Sequence, residues 1–116
     1  MIDLKQLTIK DAREHLDRKD FTAKELAQAY LLNISKVNPE INAYLEVYDD
    51  VLKQAEEADE RIAKGESLPL LGIPLGIKDN ILIKGKKATS GSKILEGFVS
   101  PYDATVITKL KNAGAV

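Results

Sequence analysis

The chain has 116 residues, 44% of them hydrophobic, enough for the core of one modest domain and too few for two. Charged residues make up 30% and nearly cancel, to a formal net charge of -1, which argues against a dedicated nucleic-acid surface or a polybasic membrane patch. With no cysteine there is neither a disulfide framework nor a cysteine-ligated metal. The leading Met1-Ile-Asp-Leu-Lys-Gln6 has no signal-peptide core, no apolar run approaches transmembrane length, and a soluble cytoplasmic chain is expected.

The first half reads as helical. Thr8 is placed to cap a helix carrying Ile9, Ala12 and Leu16 on one face. Thr22-Ala-Lys-Glu25 is a capping box, with Phe21 and Leu26 at the staple positions. Leu26, Tyr30, Ile34 and Val37 form one stripe, and Asn38-Pro39 is expected to stop that helix. The result is a helical hairpin over residues 1–42, packed through Leu16, Phe21, Tyr30 and Ile34. His15, the sole histidine, falls on the polar side of the first helix, where a metal site lacks partners.

From Ala43 to Tyr48 the pattern changes to period two, which predicts a strand burying Ala43, Leu45 and Val47. Asp49 or Asp50 then caps a helix with Val51, Leu52, Ala55, Ala58 and Ile62 on its apolar face, and Gly65 ends it. Two short apolar segments, Ile73–Ile77 and Ile81–Ile83, flank Lys78-Asp79-Asn80. Lys84-Gly-Lys-Lys87 reads as a solvated hairpin tip, since it lacks the spacing of a P-loop. After the polar loop Ala88-Thr-Ser-Gly-Ser92, the run Ser100-Pro-Tyr-Asp103 introduces a helix with Val106, Ile107, Leu110 and Ala113 on its apolar face. Gly114 ends this helix, and Ala115-Val116 begins another strand. A helix leading into an apolar strand start is half of a β-α-β unit. The expected architecture is therefore α/β, with residues 43–116 starting the core and the sheet incomplete at the C-terminus.

The run Leu71-Gly-Ile-Pro-Leu-Gly-Ile-Lys-Asp-Asn80 puts Lys78 at the end of an apolar segment. Burial disfavours an ammonium and lowers a lysine's pKa. A neutral amine accepts protons, so Lys78 is a candidate catalytic base. The same spacing is read more simply as a strand-end lysine, its stem buried and its head reaching water or pairing with Asp79.

Four segments appear in the order found in amidase signature enzymes: Gly72-Ile-Pro-Leu-Gly-Ile-Lys-Asp-Asn80, Ala88-Thr-Ser-Gly-Ser-Lys-Ile-Leu-Glu96, Tyr102-Asp-Ala-Thr-Val106 and Leu110-Lys-Asn-Ala-Gly-Ala-Val116. The chain resembles that family over essentially its whole length, most strongly from Leu71 onward. The version with Ser92-Lys-Ile-Leu-Glu96 is most similar to the glutaminase subunits of glutamyl- and aspartyl-tRNA amidotransferases. The resemblance implies amide hydrolysis by a nucleophilic serine, a bridging serine in a cis peptide linkage and a lysine, matched here by Lys78, that accepts a proton through the bridging serine. The Gly/Ser-rich signature that carries the two serines is absent from these 116 residues. Ser90 and Ser92 read as turn formers rather than replacements. Asp79 points away from Lys78 in a strand and is expected to orient the loop through hydrogen bonds.

Three functions follow from this reading. The chain is the N-terminal part of a glutaminase that hydrolyses glutamine and supplies ammonia for transamidation of Glu-tRNA(Gln) or Asp-tRNA(Asn). Alternatively it belongs to a stand-alone amidase of small amides, or it is a non-catalytic fragment that packs against a partner chain. The first implies glutamine as substrate and subunits B and C as partners, with no membrane and with tRNA engaged mainly through the partner. It implies no cofactor on this chain, ATP and Mg being expected for the partner, and no amidase activity from these residues alone. No substrate-contacting residue is assigned.

Overall fold

The computed structural model describes residues 2–116; Met1, the first residue of the leading stretch, lies outside them. Four helices form: α1 (Ile9–Asp17), α2 (Ala23–Ile41), α3 (Val51–Ala63) and α4 (Thr105–Asn112). They fall into two compact units, one built from the chain up to Pro74 together with Ala113–Val116, the other from Leu75–Asn112.

The starts of α1 and α2 follow the local signals, whereas Asp50, at the N-cap of α3, makes no side-chain capping bond, contrary to the cap expected of Asp49 or Asp50. The Thr8 hydroxyl accepts the Asp11 N–H at 3.1 Å, and at α2 both halves of the Thr22/Glu25 capping box are made. A third group completes the second cap. Asp59, on α3, accepts the N–H of Ala23 at 2.6 Å and of Lys24 at 3.1 Å, while Lys24 pairs with Glu56 at 2.6 Å. Every first-turn donor of α2 therefore has an acceptor, and a carboxylate sits at the positive end of the helix dipole. Asp59→Ala leaves two of those donors without acceptors beside the buried Ala23. It is expected to cost about 2–3 kcal/mol. Asp59→Asn, which keeps one acceptor, is expected to lie between it and wild type in urea unfolding monitored by circular dichroism.

Three expectations are corrected. Pro39 does not stop α2, which runs on to Ile41 and ends at Asn42 in the left-handed region (φ 50°, ψ 39°). A proline so close to a helix end removes a single ladder bond, and the Asn42 N–H reaches Asn38 O at 2.7 Å to carry the ladder past it. Extensive packing of α2 is against α3 rather than α1. Buried alanines on both helices, Ala23 and Ala27 on α2 and Ala55 and Ala58 on α3, permit that close approach. Leu16 of α1 instead lies against the Leu71–Gly72 turn, its Cδ1 3.2 Å from where a Cβ on Gly72 would stand.

The third correction concerns the sheet. Among the described residues there is no strand: 43–48, 73–77 and 81–83 are irregular, and the one ladder-type contact is an isolated antiparallel bridge between Lys87 and Val99. A helix satisfies its own backbone, whereas a strand exists only by pairing with a neighbour. Residues 43–47 are exposed, Leu45 by 72%, and the Tyr44 backbone bonds the Asn38 side chain, its N–H at 2.8 Å and its carbonyl at 3.0 Å, rather than a neighbouring strand. Ile73 comes nearest to a ladder. Leu70 N–H reaches Ala113 O (2.9 Å), Gly72 N–H reaches Gly114 O (3.1 Å) and Val116 N–H reaches Ile73 O (2.9 Å), so the two segments run side by side.

Candidate active site

Lys78 lies in the Leu75–Asn112 unit, in an irregular segment, and its side chain is exposed. Among the described residues no acceptor sits against its ammonium. The expected desolvation of Lys78 by its own apolar run is therefore corrected: without a paired neighbour, one extended segment does not enclose a side chain. Its main chain is defined, the Lys78 carbonyl accepting the Ile81 N–H at 3.0 Å to close a turn.

Asp79 does what the sequence assigns to it. One carboxylate oxygen accepts the Thr89 N–H at 3.2 Å, the other accepts the Thr89 hydroxyl, and the Asp79 carbonyl accepts the Ser90 N–H at 3.0 Å. The Thr89 hydroxyl, the Thr89 N–H and a further bond from the Gly91 backbone hold its carboxyl below the ordinary carboxylate range. Ser90 adopts φ 51°, Gly91 N–H reaches the Thr89 hydroxyl at 3.2 Å and Ser92 N–H reaches Thr89 O at 2.9 Å. The serines shape a turn, as expected.

A second aspartate repeats the device. Asp103 accepts the Lys84 N–H at 2.7 Å and pairs with Lys111 Nζ at 2.9 Å, and the Ala104 N–H bonds Leu82 O at 2.8 Å. Lys111, then the Lys84 N–H, lower the Asp103 pKa. The basic turn closes as a hairpin tip, with Gly85 N–H on Ser100 O (2.9 Å) and Ser100 N–H on Lys86 O (3.0 Å). Both aspartates are ionised at neutral pH. Their stitching holds above the ordinary carboxylate range and is lost as pH falls through their lowered pKa values. Two of the four segments are thus bonded to each other, 72–80 to 88–96 through Asp79, and a third, 102–106, is bonded through Asp103 and Ala104 to Lys84 and Leu82.

In the other unit, Leu71, which begins the run to Asn80, is held by a residue that sequence reasoning missed. Arg13, buried on α1, donates to Leu71 O at 2.7 Å and to Asp17 at 2.6 Å. The signal in the sequence was an arginine three residues before Leu16, and hence on its apolar face, with an aspartate one turn further on. Thr89 had a weaker signal, a lone threonine within a loop of small residues. His15 pairs with Asp20 at 2.7 Å and lies against the Phe21 ring, 5.3 Å between centroids. Among the described residues no three His, Asp or Glu are arranged to hold a metal ion.

The family model described as Amidase matches residues 25–116, and the chain belongs to this amidase family. More particularly, it is 50% identical over 114 residues to the A subunit of glutamyl-tRNA(Gln) amidotransferase from Desulfatibacillum aliphaticivorans, covering 97% of this chain and 24% of that protein. Among solved structures it resembles the native peptide amidase of Stenotrophomonas maltophilia, with a TM-score of 0.90 and 35% identity over 96% of this chain and 23% of that one. The A subunit of glutamyl-tRNA(Gln) amidotransferase from Thermotoga maritima is similar at a TM-score of 0.71 and 32% identity, over 100% of this chain and 23% of that one. The chain spans about a quarter of the length of the curated relatives it matches. No helix among the described residues is long and apolar enough to cross a membrane.

Proposed function

We propose that this chain is the N-terminal part of the glutaminase of a tRNA-dependent amidotransferase. The observation that carries the reading is the likeness to the Desulfatibacillum amidotransferase protein over nearly the whole chain, which runs through the lysine loop stitched by Asp79. On this reading the complete cytoplasmic enzyme releases ammonia from glutamine. Its partner subunits, B and C, take the ammonia to amidate Glu-tRNA(Gln) or Asp-tRNA(Asn), the acyl group being activated by ATP with Mg on the partner.

Lys78 is the base in this scheme. The nucleophilic serine gives its proton to the bridging serine as it attacks the glutamine amide, and the bridging serine passes its own to the Lys78 amine. Both serines lie outside these 116 residues on this reading, so the chain alone does not hydrolyse glutamine. A stand-alone amidase of small amides is the second reading, favoured by the higher TM-score with the peptide amidase.

Joining this chain to the remaining portion of the Desulfatibacillum relative, expressed with its partner subunits, separates the two. Glutamine hydrolysis coupled to amidation of Glu-tRNA or Asp-tRNA supports the first. Hydrolysis of simple amides without any tRNA-dependent product overturns it in favour of the second.

A further inference from the structure

Lysine is a poor base when its amine wanders. Its four-carbon stem carries about 2 kcal/mol of rotamer entropy, and any freedom at its root adds to that. It is also a poor base beside a carboxylate, which favours the charged ammonium. Asp79, the residue next to Lys78, bears on both: its contacts fix the root of the lysine side chain and occupy the neighbouring carboxylate.

Each of its carboxylate oxygens accepts a Thr89 donor, one the N–H and one the hydroxyl, and its carbonyl accepts the Ser90 N–H at 3.0 Å. On the preceding side, the Lys78 carbonyl holds the Ile81 N–H at 3.0 Å. The backbone on either side of the Lys78–Asp79 junction is therefore tied down, the Lys78 carbonyl by its own turn and Asp79, through its side chain and carbonyl, by the 89–90 loop. Meanwhile the adjacent carboxylate is occupied ten residues along the chain, and the ammonium stands without an acceptor among the described residues.

We propose that Asp79 and Thr89 together are positioning residues for Lys78, fixing the root of its side chain and keeping the adjacent carboxylate engaged elsewhere. The inference rests on the reading of Lys78 as the base. As positioning residues they act through Lys78 rather than on the substrate, so on this proposal removing either acts on turnover and spares substrate binding. Misplacing a reacting group by about 1 Å costs on the order of a hundredfold in rate.

The test uses the joined enzyme described above, with steady-state glutamine hydrolysis measured per folded molecule. Asp79→Ala and Thr89→Val are each expected to lower kcat by about tenfold to a hundredfold with KM within about twofold. Thr89→Ser, which keeps the hydroxyl donor, is expected to restore kcat to near wild type. The proposal is overturned if Thr89→Val keeps wild-type kcat, if Thr89→Ser falls as far as Thr89→Val, or if activity is lost only in step with the folded fraction. Lys78→Ala separates the two levels. An active Lys78→Ala enzyme overturns the reading of Lys78 and this proposal with it, whereas an inactive Lys78→Ala beside fully active Asp79→Ala and Thr89→Val overturns this proposal alone.

Discussion

Lys78→Ala in the joined enzyme is expected to lower kcat by about a hundredfold to ten-thousandfold, the range that a positioned general base contributes. Stability is expected to change by no more than about 0.5 kcal/mol, because in this chain the side chain is exposed and holds no acceptor among the described residues. Lys78→Arg makes the test sharper. A guanidinium keeps the charge and much of the reach but does not deprotonate, with a pKa above about 12. If Lys78 accepts a proton, the arginine enzyme is as inactive as the alanine one. If the residue supplies only positive charge, arginine retains substantial activity. A fall of several degrees in melting temperature with turnover intact identifies Lys78 as a structural residue and removes it from the mechanism.

Gly114→Ala is expected to destabilise the unit that contains it by about 2–5 kcal/mol, from two sources that add. The position has φ +92°, where an L side chain is strained by roughly 1–2 kcal/mol. A Cβ there stands 2.7 Å from Leu71 Cα and 3.0 Å from Leu71 Cβ. Leu71 is fully buried, and its backbone is held by Arg13 on its carbonyl. The two segments must separate, at an overpacking cost of about 1–3 kcal/mol and with loss of the bonds between Leu70 and Ala113 and between Gly72 and Gly114. Gly65→Ala is the control, since its φ of +88° imposes a similar strain but nothing lies within 4 Å of its Cβ. Chemical denaturation of the two variants should show Gly114→Ala the less stable by about the overpacking cost. Equal losses would mean that backbone conformation alone accounts for the effect.

The two residues differ in how legible they were. Lys78 stands out in the sequence because a charge after an apolar run is unusual and because the segments around it keep the order of a family. Gly114 reads there only as a helix stop. That it is the point where two backbones meet depends on Leu71, more than forty residues away in the chain. Asp79 was assigned to loop orientation from chemistry alone, a carboxylate after an apolar run with backbone donors nearby. Its partner Thr89 was hidden, since any of the small polar residues in 88–92 offers similar donors. Asp59 and Arg13 each act on a segment far away in sequence: the place of Arg13 on the apolar face of α1 marks it as buried but does not say which carbonyl it holds, and nothing local distinguishes Asp59 from a surface charge.

The sequence by itself determined the helix starts at Thr8 and Thr22, the end of α3 at Gly65, the family and the candidate base. Those follow from side chains acting on neighbours within a turn, or from residues read in order. Tertiary structure alone decided that α2 packs on α3, that Asp79 closes on Thr89, that Arg13 secures the start of the lysine run and that the period-two segments form no strands. Each of these depends on which distant groups come within hydrogen-bonding or van der Waals reach. A helix carries its hydrogen-bond partners within its own sequence, and a strand or a stitched loop does not.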